Sequence, residues 1–327
     1  MKIVIPHDYQ DIADKLRCFA LLRGHEVVRS TDAASDLDTL AARLADAEIV
    51  VAIRERVEFS RELLARLPKL RLIALVGRSA RTIDYAACTE LGILVATGKS
   101  DSRQSPAEHA IALILASRRN IAREAEGMRS GELPRGVAHR VAGATLGIFG
   151  LGAIGACVAE MGRGLGMEVL VWGGEGSRAR ARTAGYAVAA SQADFFAASD
   201  VLSLHVRLAL ETRGIVRADD LARMKPTALL VNTARAELVA PGALLAALRR
   251  GRPGFAALDV FEEEPVPPGH PLLALPNVLA TPHSAWAEWD NFELYFGEAY
   301  EQIVAFAEGR ALRLANPEAA ARARLRG

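Results

Sequence analysis

Short, continuously apolar runs alternate with longer segments of helical periodicity along most of the chain. In the first hundred residues these runs lie at 3–5, 27–28, 49–53, 70–76 and 93–96. Apolar runs of this length are typical of parallel strands that are buried on both faces. With helical segments between them, they predict a doubly wound α/β unit that ends near residue 100.

A second α/β series follows a long predicted helix at about residues 105–129, with Ser105 as its N-cap and Pro106 at its first position. Six more strands are predicted at 146–149, 169–172, 201–205, 228–232, 255–260 and 278–280. Helical periodicity returns at 288–308. The tail from Asn316 is rich in alanine and contains Arg322, Arg324 and Arg326, so we expect it to be frayed and solvated.

Composition narrows the class of protein. A chain of 327 residues with 51% apolar residues can form two domains, each with its own core. The formal net charge of +1 provides no large field that would attract nucleic acid or a membrane surface. Three scattered cysteines argue against a disulfide framework and a metal site, and no apolar run is long enough for a bilayer span or a secretion signal. We therefore expect a cytoplasmic protein.

The sequence Gly150-Leu151-Gly152-Ala153-Ile154-Gly155 is a glycine-rich turn between a predicted strand and a helical pattern. In that context, Gly150 permits a tight turn, Gly152 lets a pyrophosphate approach the backbone, and Gly155 allows close packing of helix and strand. The helix N-terminus then offers free N–H groups to phosphate oxygens. The turn predicts binding of NAD(P)(H).

The residue after the predicted strand 169–172 bears on the choice of coenzyme. An acidic residue there would bind the adenosine ribose 2′-hydroxyl, but this chain has Gly173. Without that carboxylate a 2′-phosphate is not repelled, and Ser177 with Arg178 could bind it. Alternatively, Glu175 could turn toward the ribose, and Arg178 could belong to a solvated helix face. The pattern favours NADP slightly over NAD.

Residues with catalytic chemistry follow three later strands. Arg235, in Asn232-Thr233-Ala234-Arg235, could hold a carboxylate through two parallel hydrogen bonds, although a surface ion pair is the alternative. An acidic run, Glu262-Glu263-Glu264, precedes Pro265. His283, in Thr281-Pro282-His283, could exchange a proton near neutral pH. The other histidines are expected to be mainly structural, with His109 packed on the long helix.

In their order and spacing, the glycine turn and the motifs at 232–235, 259–265 and 281–283 resemble the D-isomer-specific 2-hydroxyacid dehydrogenases, which include glyoxylate and hydroxypyruvate reductases and phosphoglycerate dehydrogenases. The resemblance covers nearly the whole chain. It implies that Arg235 binds the substrate carboxylate and that His283 is the proton donor and acceptor. It also selects Glu264 from the acidic run as the partner that fixes the imidazole tautomer.

The resemblance also implies an architecture. A Rossmann-type dinucleotide-binding domain, residues 103–284, would be inserted in a discontinuous flavodoxin-like substrate domain, residues 1–102 and 285–327. Homodimerisation through the dinucleotide-binding domain is expected by analogy, with residues 121–141 as a candidate contact. Specificity for the D enantiomer rests on the resemblance alone.

Further site residues come from the same resemblance. Positions expected to line the coenzyme, besides the glycines, are Ser105, Ala153, Ile154, His205, Val206, Thr233, Ala234 and Asp259. Backbone N–H groups near Val76, Gly77 and Arg78 would share the substrate carboxylate with Arg235. The chain departs from its relatives at Ala153, where a basic residue is usual, and at Ala236, where glycine is usual.

The sequence leaves the substrate open. In an extended segment, Arg54 and Arg56 would point the same way and could together hold a distal anionic group, or they could pair with nearby glutamates at the surface. Trp286 could line the substrate pocket or pack in a domain interface. The expected function is hydride transfer between NAD(P)H and a small 2-oxo or D-2-hydroxy acid. The alternatives are a nucleotide-sensing, corepressor-like protein of the same fold and a formate or phosphite dehydrogenase.

Overall fold

The structure, a computed structural model, describes residues 1–134 and 136–323, so Arg324 and Arg326 of the tail lie outside the described residues. The strands are β1 Lys2–Ile5, β2 Glu26–Arg29, β3 Ile49–Ile53, β4 Leu72–Val76, β5 Leu94–Ala96, β6 Thr145–Phe149, β7 Glu168–Trp172, β8 Ala187–Val188, β9 Val201–Leu204, β10 Leu229–Asn232, β11 Phe255–Leu258 and β12 Val278–Ala280. The eleven predicted strands are confirmed, and the two-residue β8 was not predicted.

The α-helices are α1 Leu37–Leu44, α2 Arg61–Ala65, α3 Tyr85–Leu91, α4 Gln104–Arg118, α5 Ile121–Arg129, α6 Ala153–Gly164, α7 Glu175–Thr183, α8 Gln192–Ala198, α9 Ala218–Arg223, α10 Ala243–Arg249, α11 Trp289–Ala307 and α12 Ala319–Ala323. Short 3₁₀ helices lie at Ala13–Lys15, Arg17–Leu22, Leu210–Thr212 and Ala236–Leu238.

The chain divides into two units. A discontinuous unit comprises Met1–Asp101 and Glu288–Gly327, and an inserted unit comprises Ser102–Ala287. The discontinuous unit contains a five-stranded parallel sheet in the order β2-β1-β3-β4-β5, which is the flavodoxin-like order. Its core includes Val50, Ile73 and Val95.

The inserted unit contains a seven-stranded parallel sheet in the order β12-β11-β10-β9-β6-β7-β8. Counted from β6 as the first strand, this order contains the 3-2-1-4-5-6 order of a dinucleotide-binding fold, with β12 added at one edge. Two apolar clusters pack on the sheet, one around Phe149 and Leu230 and the other around Ile148 and Val231. The predicted fold class is therefore confirmed.

The prediction of one long helix at 105–129 was wrong. α4 ends at Arg118, and Asn120 adopts a left-handed conformation with φ +56° before α5 begins. The predicted cap was also wrong, because α4 begins at Gln104 with Arg103 at the N-cap position and Ser105 lies inside the first turn. The later prediction of a helix at 288–308 is confirmed by α11, whose first turn is capped by the Glu288 carboxylate.

The tail is ordered as far as it is described, so the expectation of fraying was wrong for residues 316–323. Asn316 is buried, and its side chain accepts a hydrogen bond from the Val95 N–H at 2.8 Å and donates one to the Ile93 carbonyl at 2.9 Å. These bonds lie beside β5, and they position α12, whose Ala319 is fully buried. The Asn316 side chain takes the place of a neighbouring strand beside β5, and a single residue of this kind produces no periodic pattern in the sequence.

Within residues 1–134 and 136–323, no helix combines the length and the apolar character needed to cross a membrane. Over the same ranges, no group of three or more histidine, cysteine, aspartate or glutamate side chains is arranged to hold a metal ion.

Candidate active site

The glycine-rich turn between β6 and α6 has no room for side chains at two of its three glycines. Gly150 has φ +98°, and a Cβ there would lie 2.9 Å from the His205 carbonyl oxygen. A Cβ on Gly155 would lie 2.3 Å from the Gly150 carbonyl oxygen. At Gly152, by contrast, a Cβ would meet no atom within 4 Å. The first and last glycines close the turn, and the middle one leaves open space beside the backbone.

That open space lies at the start of α6, a helix of twelve residues. Gly152 is its N-cap and provides no side-chain hydrogen bond to the first turn, which begins with Ala153 and Ile154. The first N–H groups of such a helix attract phosphate oxygens. The open backbone and the uncapped helix start therefore fit the pyrophosphate of a dinucleotide.

His205 and Val206 follow β9 and lie against the glycine turn. The His205 ring makes a hydrogen bond of 2.9 Å between its Nε2 and the Ser203 hydroxyl. Burial lowers the pKa of His205 to about 4, so the ring is neutral near pH 7. A Cβ on Gly150 would also lie 3.1 Å from a methyl group of Val206, so both residues form a wall of the turn.

The position after β7 requires glycine for a backbone reason. Gly173 has φ +149°, and a Cβ there would lie 3.2 Å from the Ser177 Cβ. The Ser177 hydroxyl accepts a hydrogen bond of 3.2 Å from the Leu151 N–H in the glycine turn, and the Arg180 guanidinium donates to the Leu151 carbonyl at 2.7 Å. Side chains of α7 thus form hydrogen bonds with the glycine turn. Because the Ser177 hydroxyl is the acceptor in its bond, its own proton can be donated to a ligand.

Arg178 does not lie on an open, solvated helix face. Its guanidinium carbon lies 5.2 Å from the centre of the Trp172 ring, and its side chain is 31% exposed. It forms an ion pair of 2.9 Å with Glu175, which also pairs with Arg182 at 3.2 Å. These pairs, with that of Arg182 contributing most, hold the pKa of Glu175 below its usual range. Glu175 is therefore ionised, and it offsets part of the positive charge of Arg178 and Arg182.

Arg235 lies in the turn after β10, and side-chain hydrogen bonds of Asn232 hold this turn. The Asn232 side chain accepts a hydrogen bond of 3.0 Å from the Ala234 N–H and donates one of 2.8 Å to the Arg235 carbonyl. The Arg235 guanidinium donates to the Ala234 carbonyl at 2.7 Å. Asn232 is buried, so the turn that carries Arg235, with Thr233 at its start, is fixed from inside the sheet.

Glu264 and His283 are in direct contact. The imidazole Nδ1 lies 2.6 Å from one Glu264 carboxylate oxygen, and the other oxygen accepts the Phe261 N–H at 2.9 Å. Burial alone would raise the pKa of Glu264, but these hydrogen bonds and the charge of Arg235 hold it below its usual range. The carboxylate therefore accepts the Nδ1 proton and leaves Nε2 of His283 for other chemistry. Glu262 and Glu263 are exposed, as expected.

Asp259 directs its carboxylate to the loop that contains His283. The carboxylate is fully buried and accepts hydrogen bonds from the Thr281 hydroxyl and from the N–H groups of Ser284 and Ala285. Ser105, on α4, donates to the Ala285 carbonyl at 2.9 Å. Both residues were predicted to line the coenzyme, and their bonds in the structure hold this loop.

Sequence reasoning missed one residue of this arrangement. His109 was expected only to pack on its helix, but its Nε2 lies 3.0 Å from the Thr281 hydroxyl and 3.3 Å from an Asp259 carboxylate oxygen. Ser105 and His109 are four residues apart and share one face of α4. The spacing of these two polar residues, on one helix face that otherwise continues with Ala112 and Leu113, was the available signal.

Comparison with known proteins identifies the family. Residues 111–285 match the model of the D-isomer specific 2-hydroxyacid dehydrogenase, NAD binding domain. A glyoxylate reductase from Aeropyrum pernix is 39% identical over 283 residues, which are 82% of each chain. The chain belongs to the D-isomer specific 2-hydroxyacid dehydrogenase family. Membership makes it an NAD(P)-dependent oxidoreductase.

Solved structures agree with this membership of the 2-hydroxyacid dehydrogenase family. A D-3-phosphoglycerate dehydrogenase oxidoreductase from Ralstonia solanacearum, as that structure is described, is 46% identical and has a TM-score of 0.94. The match covers 99% of this chain and 99% of that one. A phosphoglycerate oxidoreductase from Vibrio cholerae is 44% identical, has a TM-score of 0.90 and covers 94% of this chain and 99% of its own.

The segment that contains Arg54 and Arg56, in the discontinuous unit, is not extended, and the role of these arginines in substrate binding stays a prediction. Residues 54–56 form a turn in which Arg54 has φ +52°, so the side-chain alternation of an extended strand does not apply to them. Arg56 donates to the His7 carbonyl at 2.7 Å and lies 4.7 Å from the centre of the Tyr9 ring. Arg54 instead approaches Gly77, where a Cβ would lie 3.0 Å from its guanidinium.

The other residues predicted to bind the substrate belong to both units of the chain. Val76 ends β4, the Gly77 carbonyl accepts the Gly98 N–H at 2.8 Å, and Arg78 forms an exposed ion pair of 3.2 Å with Asp101. Trp286, in the inserted unit, is partly buried. Their roles in substrate binding stay predictions.

Proposed function

We propose that this chain reduces small 2-oxo acids, such as glyoxylate and hydroxypyruvate, to D-2-hydroxy acids. In this proposal, Arg235 holds the substrate carboxylate and the Glu264–His283 pair provides the proton. The observation that supports it best is the 2.6 Å contact between His283 and Glu264, because an ionised carboxylate on Nδ1 fixes the tautomer that an acid–base histidine needs.

The proposed roles follow from the chemistry of each group. Bound NAD(P)H supplies the hydride. Arg235 holds the substrate carboxylate through two hydrogen bonds and withdraws charge from the adjacent carbonyl. His283 donates a proton from Nε2 to the keto oxygen, and Glu264 stabilises the charged ring before the transfer. Negative charge that develops on the keto oxygen is stabilised by Arg235 and by the protonated His283.

The contacts in the discontinuous unit favour small substrates over phosphorylated ones. A distal phosphate would be held best by two clustered guanidiniums. Both terminal nitrogens of the Arg56 guanidinium, however, donate within the protein, to the His7 carbonyl and to the Gln10 side chain, so a phosphate would have to displace these bonds. The similar protein from Aeropyrum pernix is named glyoxylate reductase, and both solved structures are named for phosphoglycerate. The contacts of Arg56 favour the first substrate class for this chain.

Arg235→Ala should lower kcat/KM for 2-oxo acids by at least about 100-fold, because a charged, paired contact of the transition state is lost. We would measure oxidation of NADPH and NADH with glyoxylate, hydroxypyruvate, pyruvate and 3-phosphohydroxypyruvate. Arg249→Ala, an exposed arginine at the end of α10, is the matched control and should be unchanged.

Turnover by Arg235→Ala at the wild-type rate would contradict the proposed role. Wild-type enzyme that oxidises neither coenzyme with any 2-oxo acid would contradict the proposed function. Activity with formate or phosphite as donor would then identify the narrower dehydrogenase class, and coenzyme binding without turnover would support a nucleotide sensor.

We also propose that NADP(H) is the preferred coenzyme. The backbone at Gly173 admits no acidic side chain without strain, since its φ is +149° and Ser177 is adjacent. The Arg178 guanidinium stacked on Trp172 and the Ser177 hydroxyl are the groups that would hold a 2′-phosphate. Both belong to the region directly after β7, where the adenosine ribose binds in folds of this type.

Arg178→Gln should raise KM for NADPH about 10-fold or more and change KM for NADH less than about threefold, since only the 2′-phosphate loses a charged partner. Arg182→Gln is the control, because its side chain is 60% exposed and also pairs with Glu175. A wild-type enzyme with higher kcat/KM for NADH than for NADPH would contradict the proposal.

A homodimer formed through the segment at 121–141 is a further proposal. Its described residues include large apolar side chains in solvent, with Met128 79%, Leu133 85% and Val137 89% exposed. Such a cluster on one segment indicates a protein contact.

Wild-type protein should sediment as a dimer of about twice 35.0 kDa. Leu133→Glu combined with Val137→Glu should shift it to a monomer, because charges in an apolar contact are costly. Leu210→Glu is the control, since Leu210 is 90% exposed on another surface segment. A monomeric wild-type protein in sedimentation velocity experiments would refute this proposal.

A further inference from the structure

The loop that contains His283 is attached to the protein on both sides of the histidine by one buried carboxylate. One Asp259 oxygen accepts hydrogen bonds from the Thr281 hydroxyl at 2.5 Å and from the Ser284 N–H at 2.9 Å. The other oxygen accepts the Ala285 N–H at 2.9 Å. One residue before His283 and two residues after it are thus held by the same group.

His283 itself has an unusual backbone conformation. Its φ is +52°, in the left-handed region that side chains with a Cβ rarely adopt. Such a conformation costs free energy and persists only where surrounding contacts determine it. The bonds from Asp259 to the flanking residues are contacts of this kind. His283 is therefore constrained at two points: Asp259 fixes its backbone through the flanking residues, and Glu264 fixes its ring through Nδ1.

A buried carboxylate needs compensation of its own. Burial alone would raise the pKa of Asp259, but the nearby His109 side chain and hydrogen bonds from the Thr281 hydroxyl and the two amides hold it below its usual range. The His109 Nε2 lies 3.3 Å from one Asp259 carboxylate oxygen. Asp259 is consequently ionised, which strengthens its hold on the loop.

The hydrogen bonds also define the direction of each proton. The hydroxyl of Thr281 has a single proton, and it is donated to the ionised Asp259. The 3.0 Å contact between Thr281 and His109 must therefore be a donation from Nε2–H of His109. A chain of donors runs from His109 through Thr281 to Asp259.

We propose that His109 and Thr281 are positioning residues for proton transfer by His283. They keep the Asp259 carboxylate ionised and in place, and that carboxylate fixes the left-handed loop that presents the imidazole. This inference rests on the proposed function of His283 as the proton donor. It assigns the positioning role to side chains that the sequence pattern did not connect with catalysis.

The test compares variants that remove a single donor with variants that retain it. Thr281→Val keeps the shape of the side chain and removes the hydroxyl, whereas Thr281→Ser retains it. His109→Leu removes the N–H donor, whereas His109→Gln places an amide N–H at a similar reach. Ser199→Ala is the control, because it removes a buried hydroxyl that bonds the Phe195 carbonyl elsewhere in the same unit.

Four quantities are measured for each variant: kcat and KM for the best 2-oxo acid, the dissociation constant of NAD(P)H, and the melting temperature of the coenzyme-bound enzyme. Thr281→Val and His109→Leu should lower kcat at least about 10-fold, because misplacement of a reacting group by a fraction of an ångström to 1 Å is that costly. The dissociation constant should change less than about threefold, and Thr281→Ser and His109→Gln should restore most of kcat. Ser199→Ala should lower only the melting temperature.

A spectroscopic measurement separates this inference from the proposed function. The proton between His283 and Glu264 should give a low-field ¹H resonance that is absent in His283→Gln. Thr281→Val should broaden or remove this resonance, and Thr281→Ser should retain it, whether or not the enzyme turns over a 2-oxo acid. An unchanged resonance and unchanged kcat in both donor-removing variants would overturn the inference. An inactive wild-type enzyme would overturn the proposed function, and the resonance would still decide the positioning role.

Discussion

The parallel register of β9 to β12 is the constraint on which the rest of the site depends. Asn232 pairs with Leu258, and Leu258 pairs with Ala280, so three strands end side by side at one edge of the sheet. Parallel strands can meet in this way only through crossovers that separate them widely in sequence. Arg235, Glu264 and His283 all leave from this edge, which explains how residues far apart in the chain contribute to one group of charges.

Hydrogen bonds hold two carboxylates at that edge in the ionised form. Glu264 accepts hydrogen bonds from His283 and from a backbone N–H, and the charge of Arg235 also favours its ionised form. Asp259 is fully buried and accepts three hydrogen bonds, one from the Thr281 hydroxyl and two from backbone amides, and the His109 Nε2 lies 3.3 Å from one of its oxygens. A buried carboxylate without such donors would be neutral or destabilising. The ionised forms that acid–base chemistry requires are thus a consequence of how each carboxylate is bonded.

The strands, the coenzyme turn and the three catalytic candidates could be predicted because each has a local signature in the sequence. Other features could not, because they depend on partners that are distant in the chain. The helix break at Asn120 and the turn at Arg54 are single left-handed residues without a periodic pattern. Asn316 is buried because it replaces a strand partner of β5, and the role of His109 depends on a loop more than 170 residues away. Tertiary contacts decided these positions.

The central claim is that Glu264 and His283 act as one unit, and a double-mutant cycle on kcat/KM tests it most directly. Glu264→Gln and His283→Gln should each lower kcat/KM for the best 2-oxo acid by about 100-fold or more, because either change removes the oriented proton donor. The double variant should then be within about threefold of the less active single variant, as is usual for groups that act together. Losses that multiply in the double variant, or a single variant that retains full activity, would contradict the account.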